Sequence, residues 1–243
     1  QDFLVKEPKL DQSNELTLAT YDGLNSATAG LYSYLSEIGW YGQVFTLGTD
    51  MRSGNGVRDN VRNSGRLTQE YDWNYIPTNS TGIWSYAYVT IAAANNVIDN
   101  LAGKEGSDVT EQDLNNLKAE CLFIRALSHF DCVITYAQPY TYKPESLGVP
   151  VVLHTDSEGK PARETVAKVY EQIVADLTEA ETIIDPAYSR SDVTDPKAAA
   201  NLDAIRALLS RVYLYMGNWQ KAADYATLVI DSENYQMWTA TQY

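Results

Sequence analysis

The sequence predicts a mainly all-α fold in which helical hairpins carry long loops that face a ligand. Two observations predict it. Apolar residues recur at three- and four-residue steps along most of the 243 residues, the signature of helices with one buried face. Within that pattern, residues 201–232 spell a whole hairpin. Leu202, Ile205, Leu209, Val212 and Met216 form one stripe, and Ala222, Ala226, Val229 and Ile230 form its partner. Gly217 stands where a helix end takes a left-handed residue, and the small residues Ser210, Ala222 and Ala226 let the backbones approach. Neither helix buries its stripe alone, so the hairpin must stack on further helices.

In chain order, residues 1–14 hold Pro8 and no apolar period, and read as an extended tether. Residues 15–38 read as a helix on Leu16, Leu24, Ala27, Leu31, Tyr34 and Leu35, ended by Gly39. Between 39 and 82 the period fails. Six further glycines (42, 48, 54, 56, 65 and 82) alternate there with Asp50, Arg52, Asn55, Arg58, Asp59, Arg62, Tyr71, Trp73 and Tyr75. So long a loop in a helical chain is functional or disordered, and its aromatic content argues for function.

Residues 83–232 read as the helical-repeat scaffold. Ile83, Ala87, Ile91, Ala94, Val97, Ile98 and Leu101 line a helix closed by Gly103. Thr110 and Asp113 form a capping box that opens a long helix with Leu114, Leu117, Cys121, Ile124 and Leu127 inside. Residues 138–163 hold four of the eight prolines and read as a loop with one short strand at 149–153. Val166, Val169, Tyr170, Ile173, Leu177, Ala180 and Ile184 define the next helix, and 185–195 connects it to the hairpin. Residues 233–243 show no period, so the 243 residues read as one domain, the N-terminal portion of a longer chain.

The hairpin also has tetratricopeptide-type spacing. Counting from Arg206, where that repeat has Trp, residues Leu209, Ser210 and Tyr213 fall on its Leu, Gly and Tyr positions. Ala222 follows at the small position of the second helix. Arg206, Ser210 and Asn234 depart from the repeat's Trp, Gly and closing Pro, so a generic helical hairpin fits the same spacing.

Composition narrows the function classes. A net charge of −14 without a basic cluster excludes nucleic acid and docking to an anionic membrane surface. No apolar run is long enough to span a bilayer, and the start Gln1-Asp2-Phe3-Leu4 is not a signal peptide, which places any targeting segment upstream. Cys121 and Cys132 fall on one face of one helix, roughly 16 Å apart, too far for a disulfide. They read as buried thiols. Eighteen Tyr and five Trp against four Phe favour surfaces that meet both apolar groups and water.

Enzymatic constellations are thin. His129 lies mid-helix and reads as a satisfied core histidine; His154 has Asp156 and Glu158 nearby but no metal-ligand spacing. No nucleophile elbow, phosphate loop or dinucleotide fingerprint is present, and no cofactor is expected. Asp176, Glu179 and Glu181 read as a solvated helix face. The loop between 50 and 79 carries binding chemistry instead. Trp73 and Tyr75 would point the same way in extended chain, with ring faces that stack on the C–H faces of sugars. Asp50, Arg52 and Asn55 supply acceptors and donors for hydroxyls. The same aromatics would also pin a loop to its helices. Trp84 and Tyr88, at i and i+4 in the opening of a helix, read as packing.

The order of motifs resembles the N-terminal half of the SusD/RagB family. The matching residues are Asp2-Phe3-Leu4 with Pro8; Trp84, Tyr88, Ile91 and Ala94-Asn95-Asn96-Val97-Ile98; and Ala119-Glu120 with Phe123-Ile124-Arg125-Ala126 and Phe130. They continue with Gly148-Val149-Pro150-Val151-Val152; Arg163-Glu164-Thr165-Val166 through Asp176-Leu177; and Tyr213-Leu214-Tyr215-Met216-Gly217-Asn218-Trp219. Cys121, His129 and a long loop at 140–147 depart from the family pattern. The resemblance implies tetratricopeptide-type helix pairs with ligand-facing loops, and a surface lipoprotein lipidated at a Cys upstream of Gln1. It further implies oligosaccharide capture over a TonB-dependent outer-membrane transporter, without catalysis. Peptide capture within the same family and a tetratricopeptide-type protein-interaction scaffold are the alternatives. Only the general place of the ligand carries over, the loop at 39–82, with Asp50, Arg52, Asn55, Trp73 and Tyr75 as its candidate residues.

Overall fold

The computed structural model describes residues 17–241, except 60, 63, 77–81, 105–107, 157 and 194. The tether expected at 1–14 lies outside the described residues. Eight α-helices and no strand form among the described residues. They are α1 (Tyr21–Leu35), α2 (Leu47–Ser53), α3 (Thr68–Asp72), α4 (Gly82–Asp99), α5 (Glu111–Tyr136), α6 (Val166–Ile183), α7 (Leu202–Tyr215) and α8 (Trp219–Asp231). A 3₁₀ turn, Pro196–Ala198, precedes α7.

Local chemistry sets the helix starts. Thr20, Thr110, Thr165, Asn201 and Asn218 each accept, through a side-chain oxygen, the N–H three residues on. At Thr110 the box closes both ways, because Asp113 accepts the Thr110 N–H at 2.8 Å. The Thr110 hydroxyl also donates to that carboxyl at 2.7 Å, and this bond, with the backbone one, holds Asp113 below its ordinary pKa. The cap at Thr20 starts α1 six residues later than the apolar pattern alone implies, and the helix ends at Leu35 rather than at Gly39. Gly217, at φ 74°, turns α7 into α8 as expected, and Ser210 donates to the Ala222 carbonyl at 2.7 Å across the hairpin.

The long helices stack in chain order: α1 on α4, α4 on α5, α5 on α6, α6 on α7, α7 on α8. Two apolar clusters result. Leu24, Leu31, Val97, Leu117 and Ile124 fill the joint between α1, α4 and α5. Phe130, Tyr170, Ile173, Ile205 and Leu209 belong to the larger cluster spanning α5, α6 and α7. Of the α8 stripe only Ala222 is buried; Ile230 faces outward.

Two sequence expectations fail here for related reasons. Asp176 is not on a solvated face. It is 2% exposed and receives a two-pronged bond from Arg125, Nε to Oδ2 at 2.8 Å and Nη2 to Oδ1 at 2.7 Å. Gln172 adds a third bond at 2.7 Å. Glu179 and Glu181 are also paired, with Lys118 and Arg206. Residues 149–153 form no strand, only an isolated bridge between Leu147 and Thr165 beside them. The Val149 carbonyl accepts from the Glu164 N–H at 3.2 Å, but Pro150 has no N–H to continue a ladder, and helix side chains take the carbonyls beyond it. Tyr88 donates to Pro150 O at 2.8 Å, Asn95 to Val152 O at 3.1 Å and Arg125 to Leu153 O at 3.3 Å. The Val152 N–H donates to His129 Nε2 at 3.3 Å. His129 is thus a satisfied core histidine, and burial beside Arg125 holds its pKa down at about 3.

A second buried knot joins distant parts of the chain. Glu120 accepts from Tyr32, from Tyr188 at 2.7 Å and from Arg190 at 2.9 Å. Arg190 also donates to Asn25 Oδ1 at 2.7 Å and to Asp192. Burial raises the Glu120 pKa, against the pull of Arg190.

Removing one partner of the Arg125–Asp176 pair strands a buried charge. Asp176→Ala is expected to destabilise the protein by about 3–5 kcal/mol in urea unfolding, and exposed Glu179→Ala by no more than about 0.5 kcal/mol.

Candidate ligand-binding face

The region expected as one irregular loop between 39 and 82 contains two short helices, α2 and α3, which pack against each other. At seven and five residues they are too short to show a period, and glycines punctuate them. Gly48 lies in α2 against the buried Glu70 of α3, with room for nothing larger than a methyl group. Gly54, at φ 82°, closes α2, and the N–H groups of Gly54, Asn55 and Gly56 all converge on the Asp50 carbonyl.

The five candidate residues fall into two groups on these neighbouring helices. Asp50 and Asn55 are exposed, and Arg52 is half-buried with its guanidinium 3.3 Å from Thr49 Oγ1. Asp50 and Arg52 are two positions apart on a helix, so they do not share a face as residues of an open loop could. Trp73 and Tyr75 are 70% and 43% exposed, beside Ile76. Trp73 is left-handed, at φ 55°, and caps α3, so the two-residue alternation of extended chain does not apply to it. Backbone geometry turns Trp73 outward, in place of strand register.

Sequence reading left out the groups that hold this end in place. The Arg58 guanidinium lies 5.1 Å over the Tyr71 ring and bonds Asp72 at 2.6 Å. Tyr71 and Asp72 directly precede Trp73, so this ion pair and this cation–π contact brace the backbone from which the exposed ring projects. Arg58 and Tyr71 were in plain view in the sequence, but fourteen and thirteen residues separate them from their partners. No local pattern signals such a pairing.

The base of the region is anchored differently. Trp40 is wholly buried, and its indole N–H donates to Asp131 of α5 at 2.8 Å. The Tyr41 hydroxyl lies near the same carboxyl, and the Trp40 and Tyr41 rings stack at 5.7 Å. Burial pushes the Asp131 pKa up to about 7, although the nearby Tyr41 hydroxyl, the Trp40 N–H and the charge of Arg211 favour ionisation. Trp84 and Tyr88 do pack, at 4.8 Å from each other, with Tyr136 edge-on to Trp84 at 5.3 Å.

A polar cleft of about 480 Å³ lies elsewhere, between Tyr188, Asn201, Asp203 and Tyr235. Its cations are already engaged: Lys197 lies 4.8 Å over the Tyr235 ring, and Arg206 bonds Glu181 at 2.9 Å. Among the described residues, no cluster of three or more His, Cys, Asp or Glu is placed to hold a metal ion, and no helix is long and apolar enough to cross a membrane.

Because Asp131 is raised in the folded chain above the ordinary carboxyl value of about 3.9, its contribution to stability is present below about pH 4. That contribution is lost as pH rises through about 7. Asp131→Asn is therefore expected to gain stability relative to wild type between pH 5 and pH 8, read from denaturation midpoints at the two values. In a quenching experiment Trp73→Phe should remove an iodide-accessible component of the tryptophan fluorescence, whereas Trp40→Phe should not.

The chain is similar to known proteins in sequence and fold. The family described as "Starch-binding associating with outer membrane" matches residues 2–214. SusD-like protein P2 of Formosa agariphila is 30% identical over 214 residues, covering 86% of this chain and 39% of that one. A SusD superfamily structure from Bacteroides thetaiotaomicron is 32% identical with a TM-score of 0.77, covering 92% of this chain and 49% of that one. Another, from Bacteroides vulgatus, is 31% identical with a TM-score of 0.79, over 92% and 50%. The chain thus spans about half the length, or less, of the relatives it matches.

Proposed function

The chain belongs to the SusD-like family, and we propose that it binds oligosaccharide without catalysis through the face that carries Trp73 and Tyr75. The single observation behind this choice is the exposure of those two rings on a braced helix end, while Trp40 in the same region is buried. An exposed ring on a braced backbone suits stacking on a sugar, because the ring face is open and less backbone freedom remains to be lost on binding. Asp50 and Arg52 on the neighbouring α2, and Asn55 just past its end, supply hydrogen-bonding groups beside that face. A laminarin-binding SusD-like protein shares the fold at 20% identity and a TM-score of 0.62.

In this reading the protein sits at the outer membrane, held by a lipid anchor, and delivers its ligand to a TonB-dependent transporter. The family's description as outer-membrane-associated supports the location. The acidic charge of −14 supports a protein that stays off the anionic bilayer surface apart from such an anchor.

Calorimetric titration of the full-length protein with oligosaccharides longer than two sugars tests the reading. Trp73→Ala should weaken binding by about 1–3 kcal/mol, as for an aromatic anchor. Wild-type affinity in that variant removes Trp73 from the site. Binding to charged peptides but to no glycan would turn the assignment toward peptide capture.

A further inference from the structure

The two ends of the region between residues 39 and 82 meet. Gly39 and Gly82 lie back to back: a Cβ on Gly82 would stand 2.8 Å from the Gly39 Cα. A Cβ on Gly39 would stand 2.5 Å from the Tyr86 ring and 3.1 Å from the Gly82 Cα. The excursion that carries α2 and α3 therefore leaves and rejoins the helical frame through one narrow neck, where side chains are excluded. Next to that neck Trp40 fills the core and bonds Asp131 at 2.8 Å, and Tyr41 stacks on Trp40 at 5.7 Å. From Tyr41 the rings continue outward to Phe45 at 4.9 Å, two residues before α2 begins.

We infer that Asp131, deep in α5, is a positioning residue for the ligand face, acting through Trp40 and Tyr41 to fix the neck from which α2 and α3 project. It touches no ligand in this scheme. Its action is mechanical: at a neck two glycines wide, a small rotation becomes a large displacement at Asp50 or Trp73. The groups facing the Asp131 carboxyl are Trp40 and Tyr41 from the neck, Arg211 from α7 and the neighbouring Cys132 of α5. In either protonation state the carboxyl can accept from the indole, and an amide of the same shape can do so too. The conservative variant is thus expected to preserve the latch.

This inference rests on the proposed glycan face, and the experiment separates the two. Hydrogen–deuterium exchange of ligand-free protein reports on the latch, and glycan titration reports on the site. Asp131→Leu should speed amide exchange across residues 41–56 by about tenfold or more while leaving α5 and α6 protected, and should weaken glycan binding by about tenfold. Asp131→Asn should restore both. Trp40→Phe, which keeps most of the buried ring but lacks the N–H, serves as a second variant and should match Asp131→Leu in direction.

Unchanged exchange at 41–56 in both folded variants overturns the latch. Faster exchange with wild-type affinity, in a protein whose Trp73→Ala variant does lose affinity, overturns the positioning role. If Trp73→Ala also keeps full affinity, the glycan face itself fails, and with it any role for Asp131 in binding there.

Discussion

The fork between Arg125 and Asp176 is the constraint around which the rest is arranged. One guanidinium, buried at the centre of α5, bonds Asp176 of α6, Asn95 of α4 and the Leu153 carbonyl. Three neighbours are thereby fixed in register on a single side chain, which apolar packing alone would leave free to slide. Burying a charge is unfavourable unless every donor finds an acceptor, so the requirement works as a specification. Only one relative placement of α4, α5, α6 and the 149–153 segment satisfies it. The excursion at 39–82 is then seated on this frame through a second buried acidic side chain, Asp131, on the helix that carries Arg125.

That arrangement explains what could and could not be read in advance. The hairpin of α7 and α8, the capping box at Thr110 and the buried stripes of α4 to α6 are local in sequence, and spacing alone reveals them. Asp176 was misjudged by its charge, although its position betrays it. It stands three residues after Ile173 and four before Ala180, on the very stripe that is buried. An acid on an apolar stripe is itself a sign of a buried partner. The strand expected at 149–153 fails because, beyond Val149, its hydrogen-bond partners are side chains scattered over α4 and α5, which no pattern within five residues could announce.

The candidate site was legible in composition more than in geometry. Tryptophan and tyrosine in a glycine-rich stretch pointed to the region, and Trp73 and Tyr75 do face solvent. Their outward direction comes from a left-handed residue at the end of a five-residue helix, not from strand alternation. Trp40, from the same stretch, went to the core. The difference between the two rings is a partner: Asp131 is available to one indole N–H at a distance of 91 residues.

The knot of Glu120 and Arg190 has a bearing on how the molecule is assembled in time. Asn25 in α1 receives its guanidinium from a residue 165 positions later, and Tyr32 accepts the Ala200 N–H across a comparable gap. The central helices can zip together as they are synthesised, each against the one just made. Helix α1 can dock early on α4 and α5 through Leu24 and Leu31, whereas its polar contacts to Arg190 and Ala200 can form only once the chain has been made through residue 200, so the apolar and polar halves of its docking are separated in time.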